Sequence, residues 1–168
     1  MILFENISNL NSIPVKFRSK IEKLINGNRI IDLLFLRPSS INNRRLLKNH
    51  FEAQNKELIT TIVKVKSHER PSRKSSPLKI ICANEFGELS LVFFKTFPGY
   101  IDRNFAINAD IAISGKIEFL QRNSAQITHP DFVFKQDMLN RIPQIEIIYP
   151  LTYGLTLKPL RKTISESL

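Results

Sequence analysis

Between about residues 58 and 128 the apolar residues recur with a period of two, in five short runs separated by turn-forming residues. That period places successive side chains on opposite faces of a sheet, so this stretch is predicted to be β-structure. Ile59, Thr61, Val63 and Val65 alternate with Thr60, Ile62, Lys64 and Lys66 in the first run. Leu78 to Ala83 forms the second, followed by the turn Asn84-Glu85-Phe86-Gly87, where Gly87 is free to take a positive φ. In the third run, expected over 89–95, Leu89, Leu91 and Phe93 alternate with Ser90, Val92 and Phe94, and Pro98-Gly99 stops the strand. A short helix or irregular link is expected over 97–105. Strands at 110–119, with Gly115 as a bulge or bend, and at 124–128 complete the set. Three meandering strands, a link and two more strands is the element order of the OB-fold, a five-stranded Greek-key barrel.

The flanks read differently. Phe17, Ile21, Leu24 and Ile25 recur at helical spacing after Ser12 and Pro14, with Gly27 as the expected C-terminal stop. A second helix is expected from an Asn28 cap to Pro38. Two helices around a short turn suit either a helix-hairpin-helix DNA binder or simple packing, and the glycine-poor turn favours packing. Arg37, Arg44, Arg45, Lys48 and His50 form a basic connector, read as a solvated face or a phosphate contact. A sixth strand is expected over 145–149 and a terminal helix from Thr156. The expected class is mainly β with a helical N-terminus (α+β). The expected segments are a helical segment over 1–50, the barrel over 51–150 and the start of a linker helix over 151–168.

Lys and Arg number 25 against 15 Asp and Glu, a net charge of +10. Such an excess favours a polyanionic partner, nucleic acid before acidic membrane. The single cysteine, Cys82, lies in an apolar run and rules out a disulfide framework within the chain. It is expected to be an inert core residue in a reducing, cytoplasmic compartment. No signal peptide or membrane span is legible. No G-x-x-x-x-G-K-[ST] loop occurs, and His50, His68 and His129 are too scattered to suggest a metal site. The expectation is therefore a binding module with no catalytic residues, metal or cofactor.

Two stretches carry the candidate site. Phe94 falls on the face opposite Phe93, beside Lys95 and close to Phe97. It is either a platform for stacking a nucleic-acid base or a residue covered by its own chain. The loop Ser67–Pro77 carries Arg70, Arg73 and Lys74 against Glu69, and is either a solvated hairpin tip or a phosphate contact.

Four motifs, in order, resemble the N-terminal part of RecG, the bacterial branched-DNA helicase family, over roughly residues 28–164. They are Ile31-Asp32-Leu33-Leu34-Phe35-Leu36-Arg37-Pro38, Phe93-Phe94-Lys95-Thr96-Phe97-Pro98, His129-Pro130-Asp131, and Ile148-Tyr149-Pro150-Leu151-Thr152-Tyr153-Gly154-Leu155 followed by Leu160-Arg161-Lys162. The resemblance implies a wedge domain, an OB-fold that splits DNA at a replication fork or Holliday junction during recombination and repair. Phe94 falls on the family's wedge phenylalanine, and Phe97 lies near its second aromatic. Lys95 stands where the family usually has Asn or His. The family's glycine-rich first hairpin is replaced around Ser12-Ile13-Pro14-Val15. The sequence given ends at Leu168, before any ATPase motif, so the expectation is a wedge without its engine: a truncated gene product, a split gene or an excised domain.

The leading expectation is thus a module binding branched or single-stranded DNA. In it Phe94 and Phe97 stack bases, while Arg70, Arg73, Lys74, Lys95 and Arg103 hold phosphates. The alternatives are a protein-interaction module docking onto a separately encoded helicase motor through Leu157, Leu160 and Ile164, and a remnant that folds without working. The sequence leaves the oligomeric state open. The predicted barrel core is Ile59, Val63, Leu89, Leu91, Ile111 and Ile113.

Overall fold

Helical spacing at the N-terminus produces two short helices in the computed structural model, which describes residues 2–70, 76–97, 99–121 and 124–168. Helix α1 spans Val15–Ile25 and α2 spans Ile30–Leu34. The C-cap of α1 is Asn26, which takes the left-handed conformation with φ 50° and donates its N–H to the Glu22 carbonyl, and Gly27 follows it at the expected C′ position. The cap of α2 is Arg29 rather than Asn28, because the Asp32 carboxylate accepts the Arg29 N–H at 3.1 Å. The Arg29 guanidinium also bonds that carboxylate and holds it below its usual pKa.

Strands follow at β1 (Ser40–Asn43), β2 (Arg45–Leu46), β3 (Leu58–Glu69), β4 (Leu78–Asn84) and β5 (Gly87–Phe93). Helix α3 (Tyr100–Asn104) precedes β6 (Asp110–Gln121), β7 (Ser124–Thr128), β8 (Phe132–Lys135), β9 (Ile145–Ile148) and α4 (Leu157–Ser167). The chain divides into two compact units, Met1–Asn42 with Ile147–Leu168, and Asn43–Glu146.

In the first unit Ile7, Leu10, Ile13, Ile21, Ile30, Leu33, Leu155 and Leu160 form the core. Glu166 of α4 accepts the N–H groups of Asn11 and Ser12 at 2.9 and 2.7 Å. The bonds from Ser12 and Asn11 hold its carboxyl below the usual range. Leu160 is fully buried and Ile164 packs on the same core, so two of the three residues suggested for docking a motor are engaged within their own unit.

The second unit is the barrel. β3 is long enough to serve both sides of it. Its first half pairs antiparallel with β6, from Leu58↔Lys116 to Lys64↔Asp110, and its second half with β4. A register shift between Val65 and Ser67 bends the strand between them. β4 and β5 form an antiparallel hairpin, β5 runs parallel to β7, and β7 pairs antiparallel with β6. The closed order is therefore β3-β4-β5-β7-β6-β3, the expected OB-fold barrel. All six residues of the predicted core are at most 1% exposed. Cys82 is buried with them, and burial pushes its thiol up to about 12. Helix α3 contributes Ile101, followed by Phe105, to the same core.

Three details differ from the sequence reading. β5 ends at Phe93 rather than Lys95, because the next N–H is taken by a side chain. Of the two readings of Gly115, the bulge fails: the β3–β6 register runs through it unbroken, and a Cβ there would meet Ile127 Cγ2 at 2.5 Å. The basic connector is not a uniform solvated face. Arg44 is 3% exposed and bonds Asp131 at 2.8 Å, Glu146 at 2.7 Å and Ser114 Oγ at 3.1 Å, with its guanidinium over the Phe132 ring. Arg45 pairs with Glu57, and His50 is fully buried. Strands β2 and β8, too short to show a period, add to the outer sides of β3 and β6.

Candidate nucleic-acid interface

Alternation along β5 sends Leu89, Leu91 and Phe93 into the core, where Phe93 meets the rings of Tyr100 and Phe105 edge-on. The next residue leaves the ladder. The Phe94 N–H donates to His129 Nε2 at 3.2 Å, while the His129 N–H donates to the Val92 carbonyl at 2.9 Å. The loop after β5 therefore departs from the sheet edge, and Phe94 projects from it 64% exposed. Phe97, on the same loop, is 85% exposed. Lys95 and Thr96 between them are exposed as well. The reading in which Phe94 is covered by its own chain is thereby set aside. The Tyr100 N–H donates to the Phe97 carbonyl at 3.0 Å, which leads the loop into α3. Phe93, Lys95, Thr96, Phe97, Tyr100, His129 and Pro130 line a shallow pocket of about 180 Å³. Burial raises the Tyr100 phenol above its ordinary pKa, so it is a neutral wall of that pocket.

The candidate cations divide. Lys95 sits within the aromatic loop. Arg103 is exposed in the last turn of α3, the helix that the aromatic loop enters. Arg70 lies 3.8 Å from Asp102 of α3, with both side chains largely in solvent, a loose pair of little energetic weight. His68 Nε2 lies 2.6 Å from the Phe105 carbonyl and ties the base of the first barrel loop to the end of α3. The structure thus brings Phe94, Lys95 and Phe97 together on one loop, with Arg70 and Arg103 at the following helix. Arg73, Lys74 and Pro98 lie outside the described residues.

His129 is the residue that sequence reasoning left without a role. Its signal was its position in His129-Pro130-Asp131 directly after the fifth strand. Among the described residues no cluster of His, Cys, Asp and Glu is arranged to hold a metal ion, and no helix is long and apolar enough to cross a membrane.

The surface offers apolar ring faces beside fixed positive charge, which suits the flat face of an unpaired base next to a phosphate. Comparisons with known proteins bear on the fold around it. The family model described as the RecG wedge domain matches residues 12–168. A solved structure described as RecG bound to a three-way DNA junction superposes with a TM-score of 0.72 at 20% identity, covering 99% of this chain and 23% of that one. This chain therefore spans about a quarter of the length of the RecG chain it matches. The second OB-fold domain of replication protein A from Methanococcus maripaludis gives a TM-score of 0.40 at 13% identity, over 55% of this chain and 96% of that one. A replication factor A related protein from Methanobacterium thermoautotrophicum gives 0.41 at 16%, over 65% and 96%. At those two scores nothing about function follows. No curated protein matches the sequence.

Proposed function

We propose, from the premise that the chain belongs to the RecG wedge domain family, that it is the DNA-binding wedge of a RecG-type ATP-dependent helicase and recognises the branch point of forks and Holliday junctions. The observation that carries this reading is the pair of exposed rings, Phe94 and Phe97, on one loop in a chain of net charge +10. Two phenylalanines this exposed within one short loop form an apolar surface that a partner can cover. An unpaired or unstacked base is such a partner, since every base has a π face. Phosphate contacts from Arg70, Arg73, Lys74, Lys95 and Arg103 supply sequence-independent affinity. The setting is recombination and replication-fork repair in the cytoplasm, alongside a helicase motor.

Phosphate contacts are the same on any duplex and cannot distinguish a fork from a plain helix. The exposed rings can, because only a branch point or a single strand offers an unstacked face. Stacking is worth about 1–3 kcal/mol by alanine substitution, roughly 5- to 150-fold in affinity. Phe94→Ala should weaken fork binding by about that factor, leave unbranched duplex nearly unchanged and keep the same salt dependence. Fluorescence anisotropy on both DNAs, with a thermal melt beside it, checks this. Equal losses on both DNAs, or none on either, would sink the wedge reading.

A further inference from the structure

We infer that His129 is the positioning residue for the wedge phenylalanine, holding Phe94 off the strand by a hydrogen bond to its backbone N–H. This rests on the wedge reading for its functional consequence and on the geometry for its mechanism.

His129 is itself exposed, so its placement is not explained by burial in the core. Its backbone has φ 48°, uncommon for a residue other than glycine, and it precedes Pro130, where an extended conformation is the usual one. That conformation lets one residue grip β5 twice. The His129 N–H bonds the Val92 carbonyl at 2.9 Å, completing the last step of the β5–β7 pairing, and the ring then turns back so that Nε2 accepts the Phe94 N–H at 3.2 Å. The imidazole lies edge-on to Phe93, with centroids 5.8 Å apart, and tilted by 33° against Phe94, with centroids 6.0 Å apart. It therefore touches both the last buried ring of β5 and the first exposed one. Accepting the Phe94 N–H requires the neutral ring with its proton on Nδ1.

The physical consequence is pre-organisation. Had β5 and β7 simply continued side by side, the Phe94 N–H would have gone to a backbone carbonyl of the neighbouring strand. Capping that N–H with the side chain that follows β7 ends β5 at Phe93 and fixes the bend before any DNA arrives. Less ordering is then lost when a base stacks on the ring. The effect is specific to the branch point because Phe94 is.

Two substitutions separate this role from a structural one. His129→Asn suits a left-handed backbone but is too short to reach the Phe94 N–H. His129→Gln places an acceptor near the position of Nε2. The first readout is amide hydrogen exchange, measured without DNA. Exchange of the Phe94 amide should speed up several-fold in His129→Asn and stay slow in His129→Gln, with the β5 amides unaltered in both. The second readout is binding. His129→Asn should weaken fork binding by roughly 2- to 12-fold, the affinity equivalent of one net hydrogen bond, while duplex binding stays level and His129→Gln recovers the loss. In a Phe94→Ala background, His129→Asn should cause no further loss of fork affinity. A Phe94 amide that is indifferent to His129→Asn overturns the inference. Equal losses on fork and duplex overturn it too, as does a loss that adds to that of Phe94→Ala. If Phe94→Ala keeps full fork affinity, the wedge reading fails and the functional half of this inference fails with it. That failure is recognisable because the Phe94 amide still responds to His129.

Discussion

His50 shows how one side chain couples the barrel to pH. It is fully buried beside Phe51, and its Nε2 lies 3.3 Å from the Glu88 carbonyl, which fits a neutral ring donating from Nε2. Burial pushes its pKa below the ordinary 6.5. The folded state therefore prefers the neutral ring, and between the folded and unfolded values the unfolded chain holds more protons. Stability from this residue is fully present above pH 6.5 and falls as the pH drops toward the folded value. His50→Gln can keep a donor for the Glu88 carbonyl and cannot become charged. Its urea midpoint should fall less than the parent's between neutral and mildly acid pH. Parallel midpoints across that window would show that His50 is not the titrating group. Arg44 is the contrasting residue. Its sequence neighbours are basic, yet its guanidinium is buried among carboxylates, where removing one partner would leave charge unpaired.

At the scale of elements, β3 and β6 decide whether the barrel closes. β3 changes partners at its bulge, and β6 turns from β3 to β7 just beyond Gly115. At that crossing β7 passes so close that a Cβ on Gly115 would meet Ile127 Cγ2 at 2.5 Å and the backbone of Pro130 at 3.3 Å. Ile127 is fully buried, and backbone cannot rotate out of the way. Gly115→Ala should therefore destabilise the protein by about 1–3 kcal/mol, the usual range for overpacking a core, read as a lower denaturant midpoint with an unchanged slope. A midpoint equal to the parent's would mean that Ile127 can change rotamer without penalty. The alternating residues predicted these strands well. The ends were less legible, because β5 ends where a side chain from the residue after β7 caps it, and β2 is too short to show any period.

For the whole molecule, the net charge of +10 favours a polyanionic partner, and binding to one would be strongly salt-dependent. Arg70 stands three and four positions before Arg73 and Lys74 in the sequence, and its pairing with Asp102 is loose enough to yield to a phosphate. Replacing Arg70, Arg73 and Lys74 together with Ala should weaken binding to fork and duplex about equally. For every phosphate no longer neutralised, the slope of log K against log salt should flatten by roughly 0.7–0.9. Titrations at several salt concentrations check this, and an unchanged slope would remove the loop from the interface. The charge points to the kind of partner. It says nothing of the shape recognised, which the proposed function assigns to the exposed rings.

Residues close in sequence were legible without coordinates. Leu89, Leu91 and Phe93 against Ser90, Val92 and Phe94 need only the period of a strand to be sorted into two faces, and the six core residues followed from the same rule. The period could not say whether the outer face at Phe94 was covered. Nor could it find the partners of buried or capping polar groups. Those partners are far apart along the chain: His129 is 35 positions from Phe94, and Asp131 and Glu146 are 87 and 102 positions from Arg44. Strand pairing between distant parts of the chain brings them together. A hydrophobic period records which face a residue shares with its neighbours, whereas a hydrogen bond needs two groups within about 3 Å. Only the tertiary fold sets that distance.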